Sequence, residues 1–309
     1  MLSNLSQRLS CIAKDEDTTL KASELNLLDW IGNSEQSTDR IDSALTQRIA
    51  ITLRDQPESP QPRNFASLPP LWHWCFFQNP APLSRTNIDG HPHHGSFLPP
   101  IRLPRRMWAG GSLKFLTPLP IDSEVMRHSK IKSIETKQGR SGELIFISIE
   151  HTYWLEGVAA MYEQQDLVFR EPAKPGTLET PSSTETEKRN CIAYREIEPS
   201  SVLLFRYSAL TFNSHRIHYD RDYAIDSEGY EGLVVHGPLL ATQLIEFAQK
   251  HNEKKQRLVG FTFRAMRPVS DKHNYKLCIG EIEGSSLPLW IENHEGAVAM
   301  KATAILESD

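Results

Sequence analysis

Between Tyr207 and Asp220 the chain reads YSALTFNSHRIHYD, which gathers two imidazoles, an amide and a carboxylate: Asn213, His215, His218 and Asp220. A neutral imidazole near its reference pKa can take a proton from water and return it within one turnover, so His218 is the candidate general acid/base. Asn213 offers an amide to orient water or a substrate oxygen, and His215 or Asp220 would tune His218 or act as a second acid/base. A short way on, Val234-Val235-His236-Gly237-Pro238 opens an apolar stretch. Free N–H groups at a helix start favour negative charge, so the Gly237 N–H is the candidate donor to an oxygen that gains charge during reaction. Proton-transfer groups beside a helix-end anion site suit addition of water to an activated double bond. The bland alternatives are a core histidine satisfied by a carbonyl and an ordinary helix start; their proximity in sequence argues for chemistry.

Two further clusters could touch a ligand. Pro104-Arg105-Arg106-Met107-Trp108-Ala109-Gly110-Gly111 combines guanidinium groups, an indole and paired glycines, suiting a carboxylate or phosphate under a flat ring, or else a solvated turn with a buried tryptophan. The loop Asp89-Gly90-His91-Pro92-His93-His94-Gly95 holds three histidines, but no second group of Cys or carboxylates accompanies it at ligand spacing. It is expected to be a surface loop near the mouth of the site, with no metal. Trp72 and Trp74 would line an apolar tunnel or sit in the core.

These groups must be held by a scaffold of 309 residues, long enough for one large domain or two ordinary ones. A 39% hydrophobic, 24% charged composition is that of a globular protein, and the net charge of −5 gives no general pull towards nucleic acid. Cys11, Cys75, Cys191 and Cys278 show no CxxC spacing, so neither a disulfide framework nor a zinc site is expected. Without a membrane span or a secretory signal in Met1–Lys14, the cytoplasm is the expected compartment.

Residues 171–190, EPAKPGTLETPSSTETEKRN, lack aromatics and read as a linker between halves 1–170 and 191–309. Each half ends alike. In the first, a proline-containing approach at 115–122 leads into extended segments Glu124–His128, Lys130–Lys137 and Leu144–Trp154. In the second, an approach at 263–269 leads into Tyr275–Ile282, Leu287–Asn293 and Ala297–Leu306. The last segment of the first half alternates, with Ile145, Ile147 and Ile149 on one face. The shared order of elements indicates duplication. Helices are expected over Ala22–Ile31, Ser43–Leu53 and Pro238–His251, the last from Leu240, Leu244 and Phe247 at helical spacing behind a proline. The sum is an α+β architecture.

The segment 205–240 resembles the hydratase motif of MaoC-type enoyl-thioester hydratases and dehydratases. Asp29-Trp30-Ile31-Gly32, the string 68–74 (LPPLWHW), Phe97-Leu98-Pro99-Pro100 and the 104–111 string resemble the dehydratase half of the mesaconyl-C4-CoA and itaconyl-CoA hydratases. This resemblance spans about 28–306 and implies a double hot dog, two repeats of a long helix wrapped by a curved antiparallel sheet. It implies an acyl-CoA substrate lying between the halves, no cofactor beyond the substrate's own CoA, and room for a homodimer. His218 falls on the family's histidine and Gly237 on its oxyanion glycine. Asn213 stands where an aspartate is usual, Phe212 where a glycine is, His215 for the customary asparagine and Arg216 for the proline. An amide cannot accept a proton at neutral pH, so His218 would handle the proton while Asn213 orients water. Reversible hydration of a short dicarboxylic enoyl-CoA is the leading expectation, with Arg106, Arg206 and Arg264 as candidates for the free carboxylate and Trp108, Tyr219 and His236 as further substrate contacts. A dehydratase of fatty-acyl metabolism and a thioester-binding protein without turnover are the alternatives.

Overall fold

Long runs with apolar residues at every second position form strands, and the single strongly apolar stretch at helical spacing forms the central helix. The computed structural model describes residues 26–53, 65–139, 142–171, 189–252 and 256–308. In chain order these form β1 (Ser34–Arg40), α1 (Ser43–Leu53), β2 (Arg105–Phe115), β3 (Glu124–Gly139), β4 (Gly142–Leu155) and β5 (Val158–Arg170). There follow β6 (Ala193–Ile197), α2 (Ser201–Leu210), α3 (Gly237–Lys250), β7 (Arg257–Ala265), β8 (Tyr275–Ile279), β9 (Ser286–Glu292) and β10 (Val298–Glu307). The ten strands form one antiparallel sheet in the order β1-β3-β4-β5-β2-β7-β10-β9-β8-β6. Read inward from each edge, the two halves of the sheet have the same connectivity, 1-3-4-5-2 against 6-8-9-10-7. In both, the helices lie in the connection between the edge strand and the central strand.

The halves meet where β2 pairs with β7, Gly110 opposite Arg264 and Gly111 opposite Phe263. The paired glycines are required by space. A Cβ on Gly110 would lie 2.5 Å from the Phe263 carbonyl oxygen, and one on Gly111 would lie 2.5 Å from the Gln164 carbonyl oxygen.

α3 fills the C-terminal half. Leu239, Leu240, Leu244 and Phe247 are buried against inward-facing Phe261, Leu289, Ile291 and Ala302, and fully burying such a side chain is worth about 1.5–3 kcal/mol. In the N-terminal half α1 is short, and Leu71, Trp72, Cys75, Phe76 and Phe77 from the irregular 65–103 segment complete the cover over Val125 and Tyr153. Ile131, Ile145, Ile147 and Phe169 form a second cluster along β3–β5, so the alternation of β4 does bury its isoleucine face.

The helices at Ser43–Leu53 and 238–251 form within a residue or so of their expected ends. Of the expected helix Ala22–Ile31, residues 22–25 lie outside the described residues. The rest forms one 3-10 turn, Leu27–Trp30, capped by the Asn26 side chain and ended by extended Ile31 and by Gly32 at φ 91°. The two segments expected at 124–128 and 130–137 are one strand, β3, irregular between Ile131 and Ser133. α2 was not anticipated; Ser200 caps it by accepting from the Leu203 N–H. Residues 172–188 of the expected linker lie outside the described residues. Among the described residues no helix is long and apolar enough to cross a membrane.

Candidate active site

α2 ends in a tight turn that delivers the chemistry. Phe212 adopts φ 50°, the left-handed conformation, and the Asn213 N–H bonds the Ser208 carbonyl at 2.8 Å. That backbone is one a glycine would adopt without strain. The Asn213 Oδ1 accepts the His215 N–H at 3.0 Å, and its Nδ2 has no partner among the described residues. Arg216–His218 then make a single 3-10 turn.

His218 is buried with Nδ1 2.7 Å from the Val234 carbonyl oxygen. A carbonyl only accepts, so Nδ1 carries the hydrogen and Nε2 is left with its lone pair. Burial lowers the His218 pKa to about 4, the Val234 bond opposing. At neutral pH it is therefore an uncharged imidazole with a free basic nitrogen. Its ring stacks on His236, centroids 3.7 Å apart, and meets His215 edge-on at 5.4 Å. His236 immediately precedes α3. Its Nε2 lies 2.8 Å from the Ser208 Oγ, while its Nδ1 is buried without a partner. Burial, then His218 and His215, push the His236 pKa far below its usual value. Gly237 opens α3, and its N–H has no partner among the described residues. A Cβ there would find only the Trp108 carbonyl oxygen, at 4.0 Å, so open space faces the helix start.

The histidine loop joins this site more closely than a surface loop at its mouth would. Asp89 holds His91 twice, Oδ1 accepting its N–H at 2.9 Å and Oδ2 lying 2.8 Å from Nδ1. The His91 ring packs against His215, centroids 4.1 Å apart. The loop is locked to the motif by Arg216 N–H donating to the Asp89 carbonyl at 2.9 Å and by Ser214 Oγ–H donating to the Gly90 carbonyl. Burial works to raise the Asp89 pKa, but the His91 bonds and charge outweigh it and hold the carboxyl at about 2. Burial and Arg106 bring His91 to about 4, and burial with His91 and His218 brings His215 to about 2. The Asp89, His91 and His215 donor atoms all lie within 4.8 Å of one another, a spacing a cation could also use. The neighbouring Arg106 charge opposes that, and the Asp89–His91 bonds commit those atoms to each other. His94 packs on Phe169, its pKa lowered by burial and by Arg106.

Arg106 is half-buried, and its guanidinium makes no hydrogen bond or ion pair among the described residues, although it acts electrostatically on Asp89, His91, His94 and His215. Arg105 is instead tied to Glu228 through its side chain at 2.8 Å and its carbonyl at 2.7 Å. Trp108 meets Trp74 and Phe263, with centroids 4.9 and 6.1 Å away, at the seam of the two halves. Trp72 is core, its Nε1 donating to Glu246 at 2.9 Å.

Three expected residues do not converge. Arg206 is exposed on α2, pointing away from the buried Ser208. Arg264 is exposed on the outer face of β7, because Phe261 and Phe263 take the inner face. It borders an outer groove of about 550 Å³ with Trp290 and Lys301. Asp220 is occupied by Arg216 Nε and Nη2 at 3.0 and 2.8 Å and by the Tyr223 N–H. Tyr219, half-exposed, donates to the Ser214 carbonyl at 3.1 Å beside the motif.

The chain is similar to known hydratases and dehydratases. The model of the hydroxyacyl-thioester dehydratase type 2 family matches residues 71–271. The chain belongs to that family. It is an enzyme, a hydro-lyase. A mesaconyl-C(4)-CoA hydratase from Chloroflexus aurantiacus is 42% identical over 277 residues, 90% of this chain and 96% of that protein. The mitochondrial hydroxyacyl-thioester dehydratase type 2 of Schizosaccharomyces pombe is 30% identical over 73% of this chain and 81% of its own. The MaoC-like dehydratase of Phytophthora capsici superposes with a TM-score of 0.64 at 15% identity, over 92% of this chain and 98% of that one. The fold is thus the double hot dog of the MaoC-like dehydratases, as the sequence motif implied.

Proposed function

We propose that this enzyme hydrates a short enoyl-CoA bearing a second, free carboxylate, such as mesaconyl-C4-CoA or itaconyl-CoA, to give citramalyl-CoA. The observation that carries the reading is Arg106: a half-buried guanidinium without an ion pair, beside the histidine cluster, awaits an anion. The Chloroflexus aurantiacus relative supports the same substrate class.

In the reaction the substrate's thioester carbonyl faces the Gly237 N–H, with the α3 dipole behind it. Water is held by the Asn213 Nδ2. With mesaconyl-C4-CoA, whose double bond is conjugated to the thioester, the water oxygen bonds to the β-carbon, His218 Nε2 takes the departing proton, and the electron pair of the double bond moves to the α-carbon and thioester oxygen. His218 then returns that proton to the α-carbon, so H and OH are added and no cofactor is consumed. Dehydration is the reverse. The enzyme acts as a cytoplasmic protein in this reading, as a homodimer or alone.

The second reading is dehydration of monocarboxylic hydroxyacyl thioesters, favoured by the likeness to the Schizosaccharomyces pombe protein and by the apolar wall of Trp74, Trp108 and Phe263. An ultraviolet assay of enoyl-thioester loss with mesaconyl-C4-CoA and crotonyl-CoA, with citramalyl-CoA formation from itaconyl-CoA followed by chromatography, separates them. Faster turnover of a dicarboxylic thioester is expected; preference for crotonyl-CoA would favour the second reading.

A further inference from the structure

The motif lacks a carboxylate at position 213, yet a carboxylate is present. It comes from the other half of the chain. Asp89 is fixed in place from three sides: by both hydrogen bonds to His91, by its own carbonyl on Arg216, and by Gly90, which is jammed against Ser214. These contacts span about 125 residues of sequence. They leave Asp89, His91, His215 and His218 as a continuous row of side chains, each in contact with the next.

We propose that Asp89 is a positioning residue for catalysis: through His91 and His215 it supplies the negative charge that stabilises His218 while that imidazole holds the proton taken from water. The proposal rests on the His218 mechanism above. During addition the water O–H bond breaks, the C–O bond forms at the β-carbon, and His218 becomes an imidazolium until it protonates the α-carbon. That transient charge is balanced by the enolate forming on the substrate and by the groups around the ring. The groups facing it are His215, His236 and, beyond His215, His91, Asp89 and Arg106. Among these Asp89 alone is anionic. Arg106 is cationic and is expected to be neutralised by the substrate's carboxylate.

The test is Asp89→Asn, which preserves an acceptor for the His91 N–H while removing the charge. With the charge gone the imidazolium is less stable, so kcat should fall roughly 10- to 100-fold, less than the loss of a group that itself transfers the proton. KM should change less than threefold. The acid limb of the kcat/KM profile should move to lower pH, since losing an anion lowers an imidazole pKa. His91→Gln, which leaves the Asp89 charge in place, should not move the acid limb to lower pH. Turnover of Asp89→Asn within twofold of the natural enzyme overturns the proposal. So does a loss of kcat with an unmoved acid limb, which is what mere loosening of the loop would give. His218→Ala measured alongside keeps the two readings apart. Near-normal turnover in that variant defeats the mechanism itself, whereas an inactive His218→Ala with a fully active Asp89→Asn defeats this proposal alone.

Discussion

Gly90 is where the account can be pressed hardest by one methyl group. Its φ is 91°, and a Cβ there would lie 1.8 Å from the Ser214 carbonyl oxygen and 2.8 Å from its carbon. Real Cβ–oxygen contacts begin near 3 Å, so Gly90→Ala forces the loop more than 1 Å away from the motif. A left-handed alanine costs about 1–2 kcal/mol. Separation also forfeits Ser214 Oγ–H to the Gly90 carbonyl and Arg216 N–H to the Asp89 carbonyl, each net about 1 kcal/mol. The sum is about 3–4 kcal/mol if the separated loop keeps its left-handed turn, and less if it swings free, relaxes and leaves the fold intact. In either case His91 leaves His215. Thermal unfolding and steady-state hydration, measured together, give the answer: a lowered Tm, or an unchanged Tm with kcat reduced at least tenfold. A Gly90→Ala protein with both Tm and kcat preserved would refute the reasoning, because the loop could then not be holding the histidines.

Replacing Arg106 with Ala should lower kcat/KM for the dicarboxylic thioester by about 10- to 100-fold, a loss of about 1.5–3 kcal/mol as for a charge-assisted bond, and leave crotonyl-CoA within threefold; equal losses on both would remove Arg106 from carboxylate recognition. Phe212→Asn should raise Tm by a few degrees without changing KM, since asparagine tolerates the φ of 50° and the exposed phenyl ring contributes little; a lower Tm would mean that the ring packs. Acid should destabilise the fold through the buried histidines. Their folded pKa values lie below the unfolded value of about 6.5, so their stability is full above that pH and is lost as pH falls towards 4. At pH 5 His218 and His91 would each forfeit about 2 kcal/mol, visible as a urea midpoint that drops between pH 7 and 5 and stays level between 7 and 8.

The parts of the site that lie close in sequence were legible there. His218 and Gly237 are only 19 positions apart, and the proline and apolar spacing after Gly237 announce α3. The duplicated sheet showed only in part: β4 was legible because alternation such as Ile145-Ile147-Ile149 is local, but β3 was read as two segments and β5, the counterpart of β10, was not anticipated. What escaped depended on distance. Asp89 and His91 meet His215 only because the fold closes a loop of about 125 residues, and the one local hint was Asp-Gly-His, a carboxylate two residues before an imidazole across a glycine. Arg264 was misplaced for want of strand phase, although Phe261 and Phe263 already assign it to the outer face. α2 hid because Val202 and Phe205 are exposed while Leu204 and Tyr207 are buried, which blurs its stripe; its Ser200 cap was the available sign.

The most direct test of the central claim is the turnover of His218→Ala on mesaconyl-C4-CoA, compared with the natural enzyme at equal folded concentration. If the buried imidazole with its free Nε2 moves the proton, kcat should fall by at least about 10²–10⁴-fold while thioester binding survives. Turnover within a few-fold of the natural enzyme would contradict it and place the acid/base group elsewhere.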